Sequence, residues 1–97
     1  MSSSFQIPKE GVDAYVLRRK TDADLLRLAI VQKKVEDFFR IGHCLQGNAE
    51  PFGFKELEVL GRGFEEVSES KDWQRAMILV QDLEAWTSAQ MSTRGLI

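Results

Sequence analysis

The residues of this chain best suited to chemistry lie in one short segment, His43-Cys44-Leu45-Gln46-Gly47, and His43 is the only histidine present. An unperturbed imidazole is largely neutral near neutral pH, so one ring nitrogen keeps a lone pair and can act as a nucleophile. Gly47 follows one helical turn later and has no side chain, which would leave open space beside the ring. The spacing therefore indicates an accessible, nucleophilic imidazole.

The segment around His43 is patterned as an amphipathic helix. At about 100° per residue, its apolar side chains form one core-facing stripe: Phe38, Ile41, Leu45, Ala49 and Phe52. His43 falls on the opposite side of the helix from that stripe, so we expect the ring to face solvent. Two simpler interpretations remain open, namely that His43 is an ordinary polar surface residue and that Gly47 only permits close packing of helices.

The sequence from residue 40 to residue 66, RIGHCLQGNAEPFGFKELEVLGRGFEE, resembles the histidine-containing phosphotransfer domains of multistep phosphorelays. The family motif His-x-x-Lys-Gly appears here as His43 to Gly47, and Phe52-Gly53-Phe54 stands in the place of the family's turn. The likeness extends over roughly residues 12 to 90 and includes residues of the next helix: Leu57, Leu60, Gly61, Phe64 and Glu65.

This resemblance implies a role in phosphorelay signal transduction. Nε2 of His43 would accept a phosphoryl group from a histidine kinase, a hybrid kinase or a phosphorylated receiver domain, and would pass it to the receiver domain of a response regulator. The receiver domain would supply Mg²⁺, the acceptor aspartate and a lysine, so this chain would need no cofactor of its own. It would be a phosphotransfer intermediate rather than an autonomous enzyme.

One position departs from the family motif, because Gln46 stands where the family has lysine. Its amide can still donate a hydrogen bond to a phosphoryl oxygen, and Arg40, one turn before His43, can supply the missing cation. Gly47 would keep the approach clear. Docking of the partner is assigned to Phe39, Gly47 and Glu50, although Phe39 lies at the edge of the apolar stripe and can equally be a core residue.

Two other classes of function remain open. The substitution at Gln46 favours a helical docking module that binds a receiver domain, or another protein, without transferring phosphate. The other is an autonomous enzyme, such as a small phosphatase, but the sequence shows neither the general base nor the metal cluster that such an enzyme would need. Cys44, the only cysteine, points away from His43 on the helical wheel, so no metal site is predicted.

Length and composition suit one compact domain: 97 residues, 43% hydrophobic, with a net charge of −2. This slightly acidic balance disfavours binding to nucleic acid, since Asp22 and Asp24 offset the basic run Arg18-Arg19-Lys20. No apolar run approaches the roughly 20 residues that span a membrane, and residues 1–5 lack the pattern of a signal peptide. We therefore expect a cytoplasmic protein, and a monomer is the simplest expectation for a bundle of this length.

Helical periodicity predicts an all-α fold, an antiparallel up-down-up-down four-helix bundle with a short N-terminal extension. The extension comprises residues 1–11, the bundle residues 12–90 and a fraying tail residues 91–97. The first helix is predicted from Val12 or Asp13 to Ile30, with a connection near residues 32–34. Its predicted core positions recur at helical spacing: Ala14, Leu17, Thr21, Leu25 and Leu28.

The other three helices follow from their own signals. The second helix is predicted to end near Pro51, with Gly53 in the turn. Gly61 would allow a neighbouring backbone to approach the third helix closely, and Ser70 or Asp72 would cap the fourth. The predicted core of these two helices comprises Leu57, Leu60, Phe64, Val67, Trp73, Ala76, Met77, Val80, Leu83 and either Trp86 or Thr87.

Overall fold

The computed structural model describes residues 7–97, and in this range the protein is all-α, with four α-helices. The helices are α1 (Lys9–Gln32), α2 (Val35–Asn48), α3 (Glu56–Ser70) and α4 (Trp73–Thr93). A short 3-10 helix, Glu50–Phe52, lies between α2 and α3. Each of α1 and α3 contacts both α2 and α4, and the closest pairs are α2 with α3 and α1 with α4. None of the described helices combines the length and apolarity needed to cross a membrane.

The predicted core face of α1 is wrong. Leu17, Leu25 and Leu28 are exposed large apolar side chains, and Ala14 and Thr21 are exposed with them. The buried side of α1 is instead formed by Tyr15, Val16, Arg19, Ala23, Leu26, Ala29 and Ile30. Helix α1 carries apolar residues on two faces, so periodicity alone does not tell which face packs against the other helices.

An arginine belongs to the buried face of α1. The Arg19 guanidinium lies over the Tyr15 ring, 4.3 Å from its centroid, and its Nε donates to Asp22 Oδ2 at 2.9 Å. Charge pairing and stacking make the burial of a guanidinium tolerable. Because Arg19 is charged, apolar periodicity does not assign it to a buried face, and this face of α1 is not the one that the periodicity predicts.

The predicted connection between α1 and α2 is confirmed at Lys33 and Lys34. The Lys33 N–H donates to the carbonyl of Ile30 and the Lys34 N–H to that of Ala29, which is the hydrogen-bond pattern of a Schellman motif. Lys33 takes the left-handed conformation, with φ of 59°. Glycine usually occupies this position, but this chain has lysine there, so no glycine marks the end of α1 in the sequence.

The other three helices bury the faces predicted for them. In α2 the buried side chains include Phe38, Ile41 and Leu45. Helix α2 ends at Asn48, Pro51 lies in the 3-10 helix, and Gly53 makes the turn with φ of 90°. In α3 and α4 the fully buried members of the predicted set are Leu57, Phe64, Val67, Ala76, Val80, Leu83 and Thr87.

The ends of the bundle extend beyond the predicted limits. Helix α1 begins at Lys9, inside the predicted extension of residues 1–11, whose first six residues lie outside the described part of the chain. Helix α4 continues to Thr93, because Met91 is buried in the core. Asp72, and not Ser70, caps α4, since its Oδ1 accepts from the Arg75 N–H at 3.1 Å.

Candidate functional site

The site is built where α2 and α3 touch through their backbones. A Cβ atom added to Gly42 would lie 2.5 Å from the carbonyl oxygen of Gly61, and one added to Gly61 would lie 2.7 Å from the carbonyl oxygen of Gly42. Neither residue can carry a side chain without moving a helix. This contact confirms the close approach predicted at Gly61, and it brings Glu65, one turn after Gly61, beside the residue that follows Gly42.

His43, which follows Gly42, is exposed as predicted: 71% of its side-chain surface is open to solvent. Its Nδ1 lies 3.2 Å from Glu65 Oε2 on α3. On its own helix the imidazole stacks against Phe39, with the ring centroids 5.8 Å apart and the planes inclined by 12°. Two neighbours therefore fix the ring orientation while leaving it accessible.

Gln46 joins the same cluster through Glu65. Its Nε2 donates to Glu65 Oε1 at 2.7 Å and to the Gly42 carbonyl at 3.3 Å. The hydrogen bond from Gln46, together with that from His43, lowers the pKa of Glu65 despite an opposing desolvation effect. The two oxygens of an ionised Glu65 thus hold two different residues of α2.

Glu65 is a site residue that the motif around His43 does not predict. The sequence does carry a signal for Glu65, because residues four apart share one side of a helix and Gly61 is a predicted point of close approach. A side chain one turn from that contact must lie near the partner helix. The sequence does not show that the residue of α2 in contact with Glu65 would be His43.

The other residues predicted around His43 lie on the same exposed surface. A Cβ at Gly47 would meet nothing within 4 Å, so the space predicted beside the ring is present. Phe39 is 52% exposed, which excludes the alternative that it is a plain core residue. Glu50 is exposed at the start of the 3-10 helix. These residues leave a broad open approach to the imidazole.

Within the described residues, Arg40 does not form a hydrogen bond with the imidazole of His43. Its guanidinium pairs with Asp37, Nη2 to Oδ1 at 3.1 Å, and it lines a cleft of about 440 Å³ between α1 and α2. Arg18 and Arg19 line the same cleft around Asp22. Burial raises the pKa of Asp22, with the nearby guanidinium groups acting in the opposite direction.

Within residues 7–97 no group of three or more histidine, cysteine, aspartate or glutamate side chains is placed to hold a metal ion. Cys44 is a free, exposed thiol that lines the cleft between α1 and α2 and not the site around His43. The chemistry of the site therefore depends on one imidazole, one carboxylate and one amide. Comparisons of the chain with models of protein families, with curated proteins and with solved structures find no match.

Proposed function

We propose that His43 accepts a phosphoryl group on Nε2 and passes it on, as an intermediate between a histidine or hybrid kinase and the receiver domain of a response regulator. The observation that carries this proposal is the hydrogen bond between Nδ1 and Glu65 on a ring that is 71% exposed. The carboxylate occupies one ring nitrogen, and the other is left for a partner protein.

The charge state of Glu65 decides which nitrogen is nucleophilic. Its lowered pKa keeps the carboxyl ionised, so both of its oxygens can only accept hydrogen bonds. Nδ1 must then carry the proton of a neutral imidazole, and Nε2 keeps the lone pair. A carboxylate that holds the nitrogen opposite the reacting one also stabilises the cationic ring formed when Nε2 is phosphorylated.

The transfer step needs little else from this chain. The Nε2–P bond forms as the bond between phosphorus and the donor's oxygen or nitrogen breaks, and the Nδ1 proton remains in place. Phosphoryl transfer depends mainly on in-line positioning and charge stabilisation, and we expect the receiver domain to supply Mg²⁺ and a lysine. The chain would act as a cytoplasmic phosphotransfer protein and not as an autonomous enzyme.

Gln46 has a different role in this proposal from the direct phosphoryl contact expected of it. Its amide is bonded to Glu65 at 2.7 Å, so it positions the carboxylate that positions the imidazole. Arg40 remains the nearest candidate cation on α2, and it would have to leave Asp37 to reach a phosphoryl oxygen. Phe39, Gly47 and Glu50 form the surface on which we expect the receiver domain to dock.

The finer fold that we propose is the antiparallel up-down-up-down bundle. Connections of two residues between α1 and α2, and between α3 and α4, favour reversal of the chain at each point. Two ion pairs between α1 and α4 agree with opposite directions: Arg27 pairs with Glu84, and Asp13, further towards the start of α1, pairs with Arg94 near the end of α4.

The proposal is tested by offering the protein a phosphorylated receiver domain or an active hybrid kinase. We expect an acid-labile, alkali-stable phosphate on the wild type and none on His43→Gln. Cys44→Ser is the matched control, because it changes the adjacent exposed residue and should retain labelling. Labelling that persists in His43→Gln would show that the acceptor is another residue.

A docking module without phosphotransfer is the second candidate, and the environment of Gln46 favours it. The family's lysine is absent, the amide that replaces it is already bonded, and the nearest charged group to the ring is the carboxylate of Glu65. Binding to a receiver domain measured by calorimetry, together with no labelling by several competent donors, would support this candidate over the first.

A further inference from the structure

The cleft between α1 and α2 takes no part in the site around His43. It encloses about 440 Å³ and is lined by three arginines, Arg18 and Arg19 from α1 and Arg40 from α2, together with one carboxylate, Asp22. This volume lies in the range of sites that hold small organic molecules. We call it the arginine cleft.

The arginine cleft carries more positive than negative charge. Arg19 pairs with Asp22, Nε to Oδ2 at 2.9 Å. Arg40 pairs with Asp37, Nη2 to Oδ1 at 3.1 Å. Arg18 is exposed, and its guanidinium has no ion-pair partner among the described residues. Two carboxylates thus face three guanidinium groups, and the single positive charge left over would be neutralised by a singly charged anion.

The three guanidinium groups converge on one place in the cleft. Burial raises the pKa of Asp22, and the charges of all three arginines oppose that rise, so each of them lies close enough to act on this carboxyl. Asp22 is largely covered, with 17% of its side chain exposed, and its partner Arg19 is covered further, at 10%. Charges that are partly withdrawn from water act on a ligand more strongly than fully solvated ones.

The wall that joins the two helices is already formed. The Tyr15 hydroxyl donates to Asn48 Oδ1 at 2.8 Å, which ties α1 to α2. The Tyr15 ring packs against Phe52, with centroids 4.3 Å apart, and against the Arg19 guanidinium at 4.3 Å. Asn48 lines the cleft, and its amide nitrogen donates to no described residue, so it adds a hydrogen-bond donor. A preformed wall reduces the ordering that a ligand must impose.

The arginine cleft has an apolar end and a charged end. At the apolar end, Ala14 lies in the same turn of α1 as Tyr15, on whose ring Phe52 stacks. At the charged end, further along α1, Asp22 lies within the influence of Arg40. Eight residues of helix separate Ala14 from Asp22, which is about 12 Å along the axis. An extended chain of eight carbon atoms has roughly this length.

We propose that the arginine cleft binds a small organic anion with one carboxylate and an apolar chain, of the kind represented by a medium-chain fatty acid. The carboxylate accepts hydrogen bonds from Arg18, whose planar guanidinium matches two carboxylate oxygens. The apolar chain covers Ala14, Ile41 and Phe52. His43 contacts Glu65 on α3, outside the cleft, so the proposal does not depend on phosphotransfer.

Titration with octanoate, followed by calorimetry, tests the class of ligand. A ligand of about ten non-hydrogen atoms is expected to bind with a dissociation constant on the order of 1 mM. Octanol has the same chain without the charge, and acetate has the charge without the chain, so each should bind at least about tenfold more weakly. Octanol that binds as tightly as octanoate, or inorganic phosphate that binds more tightly, overturns the proposal.

A pair of arginine variants tests the charged end. Arg18→Gln removes the cation that has no partner and should weaken octanoate binding about tenfold. Arg62→Gln is the matched control, because Arg62 is exposed on α3 and does not line the cleft, and it should bind octanoate as the wild type does. Equal affinities of the two variants would contradict the proposed role of Arg18.

The only cysteine of the chain reports where octanoate binds. Cys44 is exposed and lines the arginine cleft, so a ligand held there should shield its thiol from iodoacetamide. At about ten times the dissociation constant, alkylation of Cys44 should slow about tenfold. Acetate at the same concentration should leave the rate unchanged. Octanoate that binds without shielding Cys44 lies elsewhere on the protein, and this result overturns the proposal.

Discussion

Replacement of Gly42 by alanine should separate α2 from α3 and destabilise the bundle. The added Cβ would lie 2.5 Å from the Gly61 carbonyl oxygen and 2.9 Å from the Glu65 backbone nitrogen, whereas ordinary contact begins at 3.4 Å. Both obstacles are backbone atoms, so the helices must move apart by about 0.9 Å. Overpacking of this kind costs up to about 3 kcal/mol, and the gain in helix propensity returns about 1 kcal/mol. We expect a net loss of about 2 kcal/mol.

Urea unfolding followed by circular dichroism measures this loss, and Gly47→Ala supplies the control. A Cβ at Gly47 meets nothing within 4 Å, so the same substitution one turn and one residue further along α2 should stabilise the protein by up to about 1 kcal/mol. The two variants should therefore differ by about 3 kcal/mol. Equal stabilities would refute the argument that contact between the glycine backbones determines the spacing of α2 and α3.

Four further predictions concern single residues. Lys71 holds a left-handed φ of 58° at the end of α3, so Lys71→Gly should raise the melting temperature, with a gain of about 0.5–1 kcal/mol. Arg27 lowers the pKa of Glu84, so the ionised pair stabilises the folded protein. This stabilisation is present at pH values above the pKa of the carboxyl in the unfolded chain, and it is lost as the pH falls through the pKa of the carboxyl in the folded protein. Arg27→Met should therefore lower the free energy of unfolding measured with urea at pH 7 and leave it almost unchanged at pH 2. Glu65→Gln removes a charged hydrogen-bond acceptor and should slow the labelling of His43 roughly tenfold in a rapid-quench assay, without unfolding the protein. Gly47→Leu should leave circular dichroism unchanged but weaken receiver binding in calorimetry, and unchanged affinity would contradict the access argument.

The faces of α2 and α3 could be predicted because each of these helices has one dominant apolar stripe. The face predicted for α4 is also the one that is buried, although α4 exposes the apolar side chain of Ile78. Phe38, Leu57 and Val80 lie where the periodicity places them, and all three are fully buried. Pro51 and Gly53 also marked the end of α2 correctly. Local sequence signals were sufficient to predict the buried face of a helix where they were consistent with only one such face.

Helix α1 could not be predicted in the same way. Leu17, Leu25 and Leu28 form one apolar stripe, and Val16, Leu26 and Ile30 lie on the face that is buried, which also includes Arg19. The choice between the faces depends on how α1 fits the other helices, and that is tertiary information. The break before α2 was located correctly from the change in helical phase, although the α1 residues used for that phase were the wrong ones.

The candidate site could be predicted in part. The exposure of His43 and the open space at Gly47 follow from positions on a single helix. The hydrogen bond to Glu65 joins residues 22 positions apart, so it required the contact between Gly42 and Gly61 to be known. For the same reason the sequence suggested a free amide at Gln46, where the structure shows one bonded to Glu65.

The nitrogen that carries the phosphate gives the most direct test of the central claim. His43 is the only histidine, so long-range ¹H–¹⁵N NMR of the protein phosphorylated by a receiver domain or kinase would report on one ring. The account predicts phosphate on Nε2, with Nδ1 still protonated and facing Glu65. Phosphate on Nδ1, or an unmodified imidazole after exposure to several competent donors, would contradict it.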